Sequence, residues 1–251
     1  MAYVARKMKW DQTGEHLYKT GIDHGVIYDV DSNGNYVNGE EWNGLTGFTK
    51  SPSGAEETKL FADNIKYLSL RSAEDFGATI TCYTFPALFE EKNGSKELIP
   101  GMKVYQQARK SFGLCVRTLL GNDVDTNDYG FELHLCYGLT ASPSEEAFNT
   151  VNDSPEAIEF SYELASIPVA VTGAKPTAVV TLSSKAFEVE EGTTGAKTYE
   201  GKLYDGHFVD LLDVLYGKDA DTTTTPETAA VAARLPLPDE IKEILTGTTG
   251  G

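Results

Sequence analysis

A period of two dominates this sequence. From Tyr129 to Ala141 (YGFELHLCYGLTA), Phe131, Leu133, Leu135, Tyr137 and Leu139 fall on one side of an extended chain, and Glu132, His134 and Cys136 on the other. That alternation marks a half-buried antiparallel strand. AIEFSYEL repeats it, with Ile158, Phe160, Tyr162 and Leu164 set against Glu159, Ser161 and Glu163. Shorter runs of the same kind are KYLSL (66–70), ATITCYTF (78–85), FGLCVRTLL (112–120), PVAVT (168–172) and TAVVTL (177–182). Turn formers separate them: SPSG, KNGSK, IPG, GNDVDTND, VTGAKP and EEGTTGAK. The chain is therefore expected to be mainly β, an antiparallel sandwich or barrel with long loops.

Helical periodicity is scarce. DGHFVDLLDVLYG (205–217) carries Phe208, Leu211, Leu212 and Leu215 on one stripe, with Asp205 placed to cap its start and Gly217 to end it. A helix with one apolar stripe needs a surface to lie on, and a sheet face supplies it. PALFEE after Pro86 offers at most a turn of helix. Beyond Gly217, KDADTTTTPETAAVAARLPLP is poor in large apolar residues and broken by prolines. PDEIKEIL (238–245) reads as a last short helix, with Asp239 and Glu240 in the first turn where the helix dipole favours them. The domain is thus expected to span 1–217, followed by a flexible C-terminal extension at 218–251.

Charge narrows the function. The 251 residues hold 21 Lys and Arg against 38 Asp and Glu, a formal net charge of −17. DNA binding needs clustered cations, so a nucleic-acid binder is excluded. No apolar run approaches the roughly 20 residues of a bilayer span, and MAYVARKMKWDQ has no apolar leader core, so neither a membrane partner nor Sec-type export is expected. Cys82, Cys115 and Cys136 are odd in number and without CxxC spacing; they read as small core residues of a chain made in a reducing cytoplasm.

The sharpest motif is Asp29-Val-Asp31-Ser-Asn33-Gly34 followed by Glu40, the full spacing of a calcium loop. Its flanks, GVIY and WNGLTGF, are strand-like and cannot form the two helices of an EF-hand, so the same residues also read as the tip of a hairpin. Asp123, Asp125 and Asn127 copy only the first half. His134 and Cys136 share a strand face that Cys82 or Cys115 could approach, but no ligand pair at zinc spacing anchors them, and packing is the simpler reading. His16, His24 and His207 stand near no nucleophile motif. There is no GxSxG, Walker loop or HExxH, and the scattered carboxylates single out no catalytic pair; no enzyme, metal or cofactor is assigned.

Several stretches, in order, resemble the major tail protein (tail tube protein) of long-tailed, non-contractile phages of Gram-positive hosts. They are TGIDHGVIY (20–28), WNGLTGF (42–48), SPSGAEETKLFADNIKYLSL (51–70), GATITCYTFPALF (77–89), YQQARKSFGL (105–114), LLGND (119–123), YGFELHLCYG (129–138) and SPSEEAFNTVNDSPEAIEF (142–160). The match covers most of residues 20–170, residues 172–217 resemble the family's end more loosely, and 218–251 fit no shared pattern. The resemblance implies a β-sandwich of the tail tube type with one flanking helix. It also implies a virion structural protein that forms rings, generally of six, stacked around the tape measure protein. Tail terminator and tail-tip proteins would be its other partners, and genomic DNA would pass through the bore without specific binding. An acidic wall suits that passage, since B-DNA carries one charge per about 1.7 Å of axis and repulsion reaches roughly 8 Å at physiological salt.

Two sets of site residues follow. Glu132, Glu159 and Glu163 alternate with apolar core positions and are candidates for the acidic lumen, an outer solvated face or an intersubunit face being the plain alternative. Trp42, Leu45 and Phe48 lie in the long segment from Asn33 to Lys59 and are candidates for packing on a neighbouring subunit or ring, the alternative being that Trp42 plugs the domain's own core. A calcium-stabilised β-sandwich adhesion or carbohydrate-binding module of a tail tip or surface, built on the Asp29–Glu40 loop, is the competing function.

Overall fold

The computed structural model describes residues 7–148, 150, 157–220 and 229–248. The first half of the chain forms β1 (Tyr18–Val30), β2 (Tyr36–Trp42), β3 (Leu45–Lys50), β4 (Ser53–Gly54), β5 (Glu57–Ala62), β6 (Ile65–Arg71), β7 (Glu74–Asp75) and β8 (Gly77–Cys82). Helix α1 (Ala87–Lys92), β9 (Lys96–Ile99) and β10 (Met102–Val104) follow, then the long strands β11 (Phe112–Asn122) and β12 (Thr126–Ala141). The rest comprises β13 (Phe160–Ser166), β14 (Val179–Ser183), the hairpin β15 (Lys197–Tyr199) and β16 (Lys202–Tyr204), α2 (Gly206–Tyr216) and α3 (Pro238–Thr246).

Eight strands share one antiparallel hydrogen-bonded path, β2-β1-β11-β12-β13-β8-β3, with β14 also on β12. The path folds over on itself because β12 serves two sheets. Its residues Glu132–Cys136 pair with β14, and Leu139–Ala141 pair with β13. Between these runs stands Gly138 at φ +59°, where a Cβ would lie 2.2 Å from the carbonyl oxygen of Ile167. Only glycine fits this corner, where the strand turns from one layer to the next.

The resulting body has three layers. Phe131, Leu133, Leu135 and Tyr137 of β12 face α2, where Phe208, Leu211, Leu212 and Leu215 are buried against them. The opposite face, through Ile27, Leu114, Val116 and Cys136, packs on Ile80, Cys82, Tyr162 and Leu164 of the smaller β3-β8-β13 layer. A mainly antiparallel sandwich with a flanking helix at 206–216 is therefore the fold, in keeping with the alternation of the sequence. β12 differs from expectation in being covered on both faces.

The packing does not stop at Gly217, where the sequence reading placed the end of the domain. Val231 pairs with Lys218, Arg234 N donates to the Val214 carbonyl, and Leu235 pairs with Tyr36 on the outer edge of β2. Leu235 and Ile241 join the core beneath α2. Asp239 accepts from Thr172 N at 3.0 Å and from its hydroxyl at 2.7 Å. Residues 229–248 are thus a packed strap rather than a loose extension, and α3 is a second helix in the flanking layer. The physical reason is economy: two well-placed apolar side chains and an edge strand in need of partners suffice to hold a segment of poor composition. Residues 221–228 and 249–251 of that expected extension lie outside the described residues.

Candidate assembly surfaces

Strands β3 to β8 form one long hairpin whose base belongs to the smaller sheet. Beyond that base every residue from Ser51 to Asp75 is exposed except the half-buried Ser69. Antiparallel pairing continues outward through β4–β7 and β5–β6 to a tip at Asp63 and Asn64, both with positive φ. Asp and Asn tolerate that left-handed conformation, and two such residues in succession make the tight turn a twisted hairpin requires. From Ser53 to the tip the chain can reach about 35 Å at strand rise.

The register gives this arm two unlike faces. Thr58 opposes Leu70, Leu60 opposes Leu68, and Ala62 opposes Ile65, all on one side. The other side carries Glu57, Lys59, Lys66 and Arg71 together with the exposed Phe61; there Glu57 accepts hydrogen bonds from Lys66 and Ser69. Ile65 is 65% exposed and Leu70 51%. A lone two-stranded ribbon is barely stable in water, and an apolar face that its own chain leaves uncovered marks a contact with another molecule.

Two sheet edges are also open. Among the described residues β3 pairs only with β8, and β14 only with β12. The edge of β2, by contrast, is closed by the strap through Gly39 N to the Ala233 carbonyl and Leu235 N to the Tyr36 carbonyl.

The three residues proposed from sequence for subunit contacts lie elsewhere. Trp42 is 3% exposed, its indole N–H donating to the Thr84 carbonyl at 3.0 Å and its ring 4.5 Å from that of Phe89. Leu45 and Phe48 pack partly buried against the same cluster. Their segment is strand and sandwich core, not free loop, so Trp42 plugs the chain's own interior. The exposed apolar residues sit farther along, in KLFADNIKYLSL. Alternation on both sides of a two-residue Asp-Asn turn was the signal that could have found them.

The acidic candidates separate as well. Glu163 is exposed on the outer face of β13 and Glu159 is exposed just before its first residue, beside Ser161 and the threonines of β8 and β3. Thr46 Oγ1 lies 2.8 Å from Thr81 Oγ1 and donates to the Glu159 carboxylate. Glu132 is not part of that surface. Its side chain is 12% exposed, pairs with Lys19 at 2.6 Å, and lies on the inner face of the larger sheet near His134.

The calcium-like loop is a hairpin tip whose carboxylates have protein partners. Asp31 accepts from Asn33 N at 2.8 Å and Asn35 N at 2.9 Å, and hydrogen bonds from Asn35 hold its carboxyl below the usual range. Asp29 pairs with the buried Lys92 at the end of α1. Glu40 accepts from Leu88 N at 3.0 Å and Ala87 N at 3.3 Å, capping the start of the same helix. Asp29 and Glu40 are engaged with α1 and Asp31 with its own turn, and among the described residues no three His, Cys, Asp or Glu side chains converge as a metal would need.

The cysteines do not converge either: Cys115 belongs to the helix-side core, Cys82 and Cys136 to the inter-sheet core. Burial pushes Cys82 up to about 11 and Cys115 and Cys136 to about 12, so all three are inert thiols at neutral pH. The cluster around the buried Arg117 is architectural. Arg117 grips Asp23 through Nε at 2.6 Å and Nη2 at 2.9 Å, and reaches Glu200 at the β15–β16 tip at 2.7 Å. Burial raises the Asp23 carboxyl, yet Arg117 and His24 outweigh it and hold the group below its ordinary value.

No protein-family model matches the chain, nor does any curated protein. Among solved structures it is similar to a chain of the sheath–tube complex of an extracellular contractile injection system (PVC) in the extended state. The identity is 11%, the coverage 64% of this chain and 88% of that chain, and the TM-score 0.30. A likeness at that score carries no argument of its own.

Proposed function

We propose that this chain is the structural subunit of a phage tail tube. It self-assembles into stacked rings of six around a tape measure protein, and the stack is closed by terminator and tail-tip proteins. The particle is assembled in the host cytoplasm and becomes part of the virion, and DNA leaves through its bore. The chain works without catalysis or cofactor. One observation carries this reading: an arm with an uncovered apolar face projects from a sandwich that also has open sheet edges. Such features favour heterologous contacts, and these close into rings or continue as stacks. The ordered resemblance over residues 20–170 supports the same conclusion.

Glu159 and Glu163 are our candidates for the bore. They share a polar face with hydroxyls, and among the described residues neither carboxylate has a cationic partner, so passing phosphates would be repelled rather than held. Negative-stain microscopy of the purified protein tests the proposal. Rings or tubes about 100 Å wide are expected for some six domains of this size. A strictly monomeric protein at high concentration would overturn it.

A further inference from the structure

At one end of the sandwich, the space between the two sheets opens into a cleft of about 430 Å³. Lys50, at the end of β3, points its amine into this space and lies 2.8 Å from Nδ1 of His134 on β12. Nε2 of His134 lies 2.9 Å from Oγ1 of Thr118 on β11. Around them stand Lys19 of β1 and Glu132 of β12, which pair with each other, and the hydroxyl of Thr181 on β14; Cys136 lies deeper on β12. His134 is 6% exposed whereas Lys50 remains open to solvent.

We propose that Lys50 is an acyl-acceptor site, a lysine built to react with activated acyl donors such as thioesters, acyl phosphates or active esters. Its neighbours set it apart. Lys66, Lys92, Lys103, Lys110, Lys185 and Lys197 rest on carboxylates. Lys50 rests on a neutral imidazole. Burial, with Lys50 adding to it, pushes His134 down to about 4, so at neutral pH its Nδ1 only accepts, and Nε2–H donates to Thr118. Burial likewise lowers Lys50, against the attraction of Glu132. Once the ammonium has lost a proton to water, one N–H stays on His134 Nδ1 and the nitrogen lone pair is left for the cleft. It attacks the acyl carbonyl carbon and forms a C–N bond. The bond to the leaving group breaks, the leaving group takes the electron pair, and the second amine proton is lost directly to water in the open cleft.

The proposal does not depend on tube assembly. Its test is limiting acetylation of the folded full-length chain with an N-hydroxysuccinimide acetyl ester, read per lysine by peptide mass spectrometry from about pH 6 to about pH 9. Lys50 is expected to label several-fold faster than the solvent lysine Lys59, with a rate profile displaced to lower pH. His134→Gln is expected to bring the Lys50 rate toward that of Lys59 without altering Lys59. Equal rates and coincident profiles in the native protein would overturn the proposal, whether or not the variant folds. An unchanged Lys50 rate in folded His134→Gln would overturn the role given to the imidazole.

Discussion

The arm at 51–75 and the strap at 229–248 both leave the sandwich, and they end in opposite states. The arm is rich in large apolar side chains and keeps them in water; the strap has few and buries Leu235 and Ile241. Leu68 is 46% exposed, whereas Leu235 is 2% exposed. Composition alone would have ranked them the other way. What decides is whether the chain supplies a surface. The strap meets the free edge of β2 and the end of α2, so its Leu235 and Ile241 find partners. The arm runs outward along its own axis and has only its other strand to pair with. An apolar face left without cover in the subunit is a demand the subunit cannot meet alone.

That contrast can be broken at five points. The largest effect is expected for Leu60→Glu with Leu68→Glu: rings and tubes should disappear from micrographs while thermal unfolding stays within a few degrees, because neither residue holds the body together. Trp42→Ala, at the end of β2, should do the reverse, costing about 3–5 kcal/mol in urea unfolding as its cavity opens beside Phe89. Leu235→Ala should cost about 2–4 kcal/mol and loosen the strap, read by proteolysis downstream of Gly217. Were the strap loose, that substitution would have no effect.

The last two predictions are smaller. His134 sits at about 4 in the folded chain against an ordinary 6.5. Between those values the unfolded chain binds a proton that the folded chain refuses. Stability should therefore be complete above about pH 6.5 and fall as pH drops toward 4, by on the order of 2 kcal/mol. Folded His134→Gln should lose that slope in urea titrations. Asp31→Ala should remove the hydrogen bonds of the β1–β2 tip and lower the melting temperature slightly. Millimolar calcium should leave the melting temperature of the unmodified chain in place, since Asp29 and Glu40 are already engaged with α1.

Local pattern carried the element types, and topology carried the rest. The alternation of Phe131 to Leu139 and the stripe of Phe208 to Leu215 reflect short-range geometry and are legible in one dimension. The corner at Gly138 is not, because its necessity comes from the Ile167 carbonyl pressing on it from another part of the chain. Glu132 and Glu163 look alike in sequence, each alternating with core residues. One lies inside the sandwich and the other outside only because β12 is the middle strand of three layers. Trp42 looked like a contact residue because its neighbours are glycines and polar groups, yet a tryptophan needs a pocket, and Phe89 and Thr84 make one. Glu40 completed a calcium spacing while serving as the cap of a six-residue helix.

The passage of β12 from one sheet to the other has a mechanical side. A pull on the arm runs along β3 and β8, and it loads the backbone hydrogen bonds of β8 with β13 and of β13 with β12 side by side, in shear. Because β12 continues unbroken into the larger sheet, the same load reaches β11 and β14 without crossing a loop. Force entering at the most exposed point of the molecule is thus shared across its whole width before any single strand can peel away.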